Sequence, residues 1–158
     1  KIINQSLLNH DELYSDPLPI KNPYNNLPFS KSNLYKIYFF IKNSSHLMPT
    51  PFEFYFQCDF SLKQLLNNYE PYLRNMSIKA CSKNQDSYAN HIEYIQNMVE
   101  NYNLLHIDNQ IKLDDEFPEH DLLNTFRLYI PYYMKSIFSL SISEKNEYKF
   151  LINAMLYK

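Results

Sequence analysis

The clearest periodic stretch follows Ser30, where Leu34, Ile37, Tyr38 and Ile41 recur at the i, i+3, i+4, i+7 spacing that places apolar side chains on one helix face. Ser30 is a sound N-cap for that helix, because its hydroxyl can accept from a backbone N–H of the first turn. Thr50-Pro-Phe-Glu53 repeats the start signal, with a capping threonine, proline at the first helical position and glutamate three residues after the cap. The short helix it opens carries Phe52, Phe54, Tyr55 and Phe56, too many rings for one buried stripe. Some of them are expected to face a neighbouring element or a partner.

Asp59 or Ser61 can cap a third helix through Leu62, Leu65 and Leu66 that stops near Pro71, since proline breaks the hydrogen-bond ladder. A fourth runs from about Pro71 to Lys83 with Leu73, Met76 and Ala80 inward. A fifth starts near Asp86 or Ser87 and carries Tyr88, Ile92, Ile95, Val99 and Tyr102. Residues 103–117 read as irregular and acidic, with a short strand at Gln110 to Leu113. Helical spacing resumes from Glu119 to about Tyr129 through Leu122, Leu123 and Phe126, and Pro131 breaks or kinks it before Tyr133, Ile137 and Leu140. Ser141-Ile-Ser-Glu144 is a second capping box, opening a terminal helix with Tyr148, Leu151, Met155 and Lys158 along one side. No repeat of solenoid length is visible. The pattern predicts a mainly α fold, an irregular multi-helix bundle forming a single domain over residues 30–158.

Residues 1–29 stand apart. They hold four of the nine prolines and predict a short helix or turn around Ser6 to Tyr14, then an extended arm from Asp16 to Phe29. Such an arm either hugs its own surface or docks on a partner as an extended peptide. Phe29, just before the Ser30 cap, is placed to pack back on Leu34 as a hydrophobic staple.

Composition narrows the function. The 158 residues contain no glycine, which removes phosphate-cradling loops, dinucleotide folds and most nucleophile elbows. Asn-rich loops are expected to take the left-handed positions instead. Fifteen Tyr and eleven Phe against no Trp predict ring-filled helix contacts. A net charge of −2 and only two arginines, Arg74 and Arg127, argue against sequence-specific nucleic-acid readout. The longest apolar run, Ile37 to Ile41, is far too short for a membrane span, and the start lacks a secretory pattern, so a cytosolic-type protein is expected. A start at Lys1 suggests a trimmed or processed chain or a piece of a longer one.

The candidates for chemistry are sparse. Asp114, Asp115, Glu116, Glu119 and Asp121 could gather a hard cation, but the glycine and glutamate spacing of a calcium loop is missing, so a solvated acidic lead-in to a helix N-terminus is the better account. His91-Ile-Glu93 matches the H-x-E fragment of zinc deaminases without the P-C-x-x-C that completes it. His10, His46, His106 and His120 are scattered, and Cys58 and Cys81 form no C-x-x-C pair and read as buried thiols. No cofactor, metal or catalytic residue is assigned. An enzyme with a site assembled only in three dimensions would need a cleft with two or more converging His, Cys, Asp or Glu side chains.

Asp16 to Ile41, D-P-L-P-I-K-N-P-Y-N-N-L-P-F-S-K-S-N-L-Y-K-I-Y-F-F-I, resembles a segment of uncharacterised proteins of nucleocytoplasmic large DNA viruses, the giant viruses. Pro51 to Leu62, P-F-E-F-Y-F-Q-C-D-F-S-L, looks like its continuation. That family has no assigned activity. The resemblance implies a viral protein of the host cytoplasm or the virion. Asn22 to Phe29 is also similar to the N-P-x-x-x-x-P-F turn in the closing half of the U-box, which would imply a ubiquitin-ligase adaptor; residues 1–21 have no counterpart of the opening half.

The expected function is therefore a non-enzymatic protein acting through protein–protein contacts, as a virion or assembly component, with Tyr24, Leu27, Phe40, Phe54 and Tyr55 as candidate partner contacts. Self-association is left open. The alternative is a nucleic-acid-associated factor using Lys31, Lys36 and Lys42 beside stacking tyrosines.

Overall fold

Local signals start most of the helices. In a computed structural model that describes residues 1–83, 88–114 and 116–157, the chain is mainly helical and divides into two compact units, Lys1–Ser77 and Ile78–Lys158. The expected helix caps at Asp86 or Ser87, and the residues Asp115 and Lys158, lie outside the described residues.

The first unit opens with α1 (Ile2–Leu7), whose Leu7 is fully buried. Of the short helix or turn expected around Ser6 to Tyr14, the helix lies further upstream and the turn, at Glu12 and Leu13, falls within the range. After Leu7 the chain turns into a two-stranded hairpin, β1 (His10–Asp11) against β2 (Tyr14–Ser15), with His10 opposite Ser15 and Asp11 opposite Tyr14. Glu12, at φ 47°, makes the turn. Ser30 caps α2 (Lys31–Lys42) by accepting from the Asn33 N–H at 3.3 Å.

Helix α3 (Thr50–Gln57) starts differently from its sequence signal. Pro49 is the N-cap and Thr50 makes no capping bond; the Pro49 carbonyl accepts from the Phe52 and Glu53 N–H groups. Glu53 is taken by another partner, since the Tyr38 hydroxyl donates to both of its carboxylate oxygens at 2.9 and 3.0 Å. Helix α4 (Leu62–Cys81) is capped by Ser61, which accepts from the Gln64 N–H at 3.3 Å. It is bent at Tyr69, where φ −126° and ψ 19° leave the helical region two residues before Pro71. Leu73 and Ser77 then carry the buried side of the first unit's end, and Ala80, expected inward, is exposed.

The core of this unit joins Leu7, Ile20, Leu34, Tyr38, Phe52, Tyr55, Cys58, Leu65 and Leu73. The four rings of α3 are all absorbed around it: Phe52 and Tyr55 are buried, Phe54 stacks on Tyr69 with centroids 4.1 Å apart, and Phe56 stacks on Tyr38 at 3.7 Å. Among the described residues four have left-handed φ: Glu12, Asn26, Asp59 and Phe60. Asn takes one of these positions and Glu, Asp and Phe take the others, so the expectation that Asn-rich loops would carry them holds only at Asn26. Phe60 is the costly one, because a bulky residue there is strained, and it is held by edge contacts with Tyr35 at 4.9 Å and Tyr55 at 5.3 Å.

In the second unit α5 (Tyr88–Leu105) buries Ile95, Met98, Val99 and Tyr102. No strand forms at Gln110 to Leu113. Instead the Asn103 side chain grips the backbone of Ile111 from both sides, accepting its N–H and donating to its carbonyl at 2.8 Å each. One side-chain amide thus gives Ile111 both of the backbone bonds that a partner strand would have supplied to it.

Helix α6 (Glu119–Phe126) carries Glu119 and Asp121 in its first turn, where the helix dipole favours negative charge. Pro131 sits in the first turn of α7 (Ile130–Phe138), where its missing N–H costs no bond. Of the expected stripe Tyr133, Ile137 and Leu140 only Tyr133 is buried; Ile130 and Met134 join it. Ser141 caps α8 (Ile142–Leu156) by accepting from the Glu144 N–H at 3.3 Å. The buried residue of α8 is Ile152, with Tyr148, Leu151 and Met155 half-buried. Lys135 ties α7 to α8, donating to the Tyr148 hydroxyl at 2.8 Å and approaching Glu144 at 3.6 Å.

Candidate functional site

Residues 20–29 close into a hydrogen-bonded loop. The Phe29 N–H donates to the Ile20 carbonyl at 3.0 Å, Lys21 and Pro28 form an antiparallel bridge, and the Asn22 N–H donates to the Leu27 carbonyl at 2.9 Å. Two asparagine side chains then hold the tip. Asn22 accepts from the Tyr24 N–H and Asn25 from the Leu27 N–H, each at 3.0 Å, while Asn26 takes the left-handed φ of 57°. These are Asx turns, which let short polar side chains stand in for backbone partners. The loop is anchored through Ile20, 3 % exposed, and displays Tyr24 and Leu27, 94 % and 63 % exposed.

Beneath the loop an apolar cavity of about 330 Å³ is lined by Ile3, Ile20, Phe29, Leu34, Ile37 and Phe52 among others. Phe29, in the position before the cap, and Leu34, four residues into the helix, both border it, which is the placement a hydrophobic staple requires.

The five candidate contact residues separate. Tyr24, Leu27 and Phe40 are exposed, Phe40 by 69 % on α2. Phe54 is half-buried between Tyr69 and Tyr72, and Tyr55 is a core ring whose hydroxyl is held in its neutral form by burial. Phe54 and Tyr55 are therefore packing residues rather than displayed contacts. The sequence pointed past Phe39, which is 47 % exposed and edge-on to Tyr38, and Leu47, which is 95 % exposed. Leu47 lies in a loop, where no period announces an exposed apolar residue, and Phe39 lies on α2 beside the buried stripe.

Of the lysines beside tyrosines, Lys31 pairs with Asp59, which also accepts from the Tyr35 hydroxyl at 2.6 Å. The Lys31 hydrogen bond, then that of Tyr35, holds the Asp59 carboxyl below the usual carboxylate range. Lys42 lies over the Tyr38 ring at 5.6 Å. Two of the three candidate cations for a nucleic-acid surface thus already have partners in this unit.

The second unit holds a cleft of about 560 Å³ that brings together His91 from α5, His120 from α6, Lys83 and Arg127, with Leu123, Leu128 and Ile130 among its apolar walls. His91 is buried and burial pushes its pKa down, a hydrogen bond with the Cys81 backbone acting the other way. The two histidines lie on different helices, and only the fold brings them to one cleft. No group of three or more His, Cys, Asp or Glu placed to hold a metal occurs among the described residues. His10 bonds to the Glu12 backbone, His106 stacks on Tyr102 at 4.3 Å, and His46 is exposed. The Cys58 thiol is buried and its pKa is raised by that burial, the opposite of an activated nucleophile; Cys81 is half-buried.

No helix among the described residues is long and apolar enough to cross a membrane. Comparison of the chain with protein-family models, curated proteins and solved structures finds no match.

Proposed function

We propose that the chain is a non-enzymatic binding protein that works through protein–protein contacts, with the Asn-braced loop at residues 20–29 as its principal contact element. The single observation that carries this reading is the loop's construction: side-chain and backbone hydrogen bonds fix an otherwise short, irregular segment so that Tyr24 and Leu27 project outward. A tyrosine and a leucine held in place before binding lose little further entropy on contact, which is how preorganised loops gain affinity. Phe40, Phe39 and Leu47 supply further exposed apolar surface in the same unit.

In this reading residues 1–29 are the proline-rich arm of an irregular multi-helix bundle, anchored at Leu7 and Ile20 and presenting the tip of its loop at Tyr24 and Leu27. The resemblance of Asp16 to Leu62 to proteins of large DNA viruses supplies the setting, a virion or assembly component in the host cytoplasm. Light scattering of the purified chain, alone and mixed with structural proteins of such a virus, tests the reading. A complex that forms with the wild type and is lost in the Tyr24→Ser, Leu27→Ser double variant is expected. A chain that remains monomeric in every mixture would contradict it.

A further inference from the structure

We propose that the cleft of the second unit binds a small organic phosphate. Lys83 and Arg127 give it two positively charged side chains, His120, Asn124 and Tyr132 add polar groups, and no carboxylate lines it among the described residues. Glu119 and Asp121 flank His120 in sequence but fall on other faces of α6, whereas His120, Asn124 and Arg127 follow one another at intervals of four and three, one face of a helix.

The chain has only two arginines, and Arg127 borders this cleft. A guanidinium presents a planar fork of donors that matches phosphate oxygens, and a lysine adds a point charge. The three terminal oxygens of a phosphomonoester use more of these donors than a carboxylate would. The rest of the ligand is set by the walls: Leu123, Leu128 and Ile130 offer apolar surface to an organic body, and about 560 Å³ lies within the range of about 300–1,000 Å³ that small-molecule sites occupy. The site therefore fits a compact phosphomonoester with an apolar or aromatic body. It is separate from the loop of residues 20–29 and stands or falls independently of it.

Calorimetric titration of the full chain at low salt and neutral pH with phenyl phosphate, phenol and inorganic phosphate tests the proposal. Saturable binding of phenyl phosphate, at least about tenfold tighter than either of the other two, is expected. Arg127→Ala should weaken phenyl phosphate by about tenfold or more while leaving the melting temperature unchanged, because Arg127 is exposed. Lys112→Ala, an exposed lysine outside the cleft lining, should leave the affinity as it was. The proposal is overturned if phenol or inorganic phosphate binds as tightly as phenyl phosphate. It is equally overturned if Arg127→Ala binds like the wild type, or if only a single-stranded oligonucleotide binds.

Discussion

Tyr38 of α2 lies face to face with Phe56 of α3, ring centroids 3.7 Å apart and planes 2° from parallel, while its hydroxyl donates to Glu53 one turn earlier on α3. One side chain thus fixes both the separation and the register of the two helices that carry most of the unit's rings. Removing the parts of this contact separately should separate the two roles. Tyr38→Phe keeps the stack and is expected to cost about 1 kcal/mol for the lost hydrogen bond. Phe56→Ala is expected to cost about 3 kcal/mol. Urea unfolding of the two variants measures the difference.

The same tyrosine makes the unit sensitive to alkali. Burial, then the Glu53 hydrogen bond, raises the Tyr38 pKa above its ordinary value. A group raised in the folded state supports folding below its unfolded pKa of about 10 and loses that support as pH climbs through the folded value. Stability should fall above pH 10 in the wild type, and the fall should be shallower in Tyr38→Phe, as pH-dependent thermal melts will report.

His91 gives the opposite sign. Its pKa is lowered, chiefly by burial, so the unfolded state binds its proton first. The stability tied to neutral His91 is present above about pH 6.5 and is lost as pH drops below it. Chemical denaturation at pH 7.5 and pH 5.5 should show a loss in the wild type that His91→Gln reduces.

The Asn103 clamp on Ile111 predicts a local effect. Asn103→Ala removes two side-chain-to-backbone bonds and is expected to cost about 1–2 kcal/mol. Amide exchange at Ile111 should accelerate, while Ile95 and Val99 in the buried face of α5 should keep their protection.

Signals that act within one turn were legible in the chain. Ser30 and Ser141 cap because a hydroxyl needs only its own first turn as partner, and the helical stripe of α5 needs only its spacing. Thr50 failed because a competing partner came from elsewhere: Glu53, which would have closed the capping box, belongs to Tyr38. Gln110 to Leu113 failed as a strand because Asn103 satisfies Ile111. Pro71 announced a break but not its place at Tyr69, and Ala80, two turns beyond the buried Leu73, is exposed where its spacing placed it inward. The candidate sites divide in the same way. Tyr24 and Leu27 stood out in a proline-rich loop, whereas the meeting of His91, His120, Lys83 and Arg127 depends on helix packing that no local pattern records.

A partner-facing Tyr24 is central to the proposed function, and a photo-crosslinking side chain placed at position 24 tests it most directly. Tyr24 is 94 % exposed, so its replacement should shift stability by less than about 0.5 kcal/mol. Illumination in the native cellular setting should give a discrete protein adduct that is lost when Leu27→Ser is added, and the same probe at exposed Lys112 should give none. An adduct pattern at position 24 no different from that at position 112, or adducts to nucleic acid alone, would contradict it.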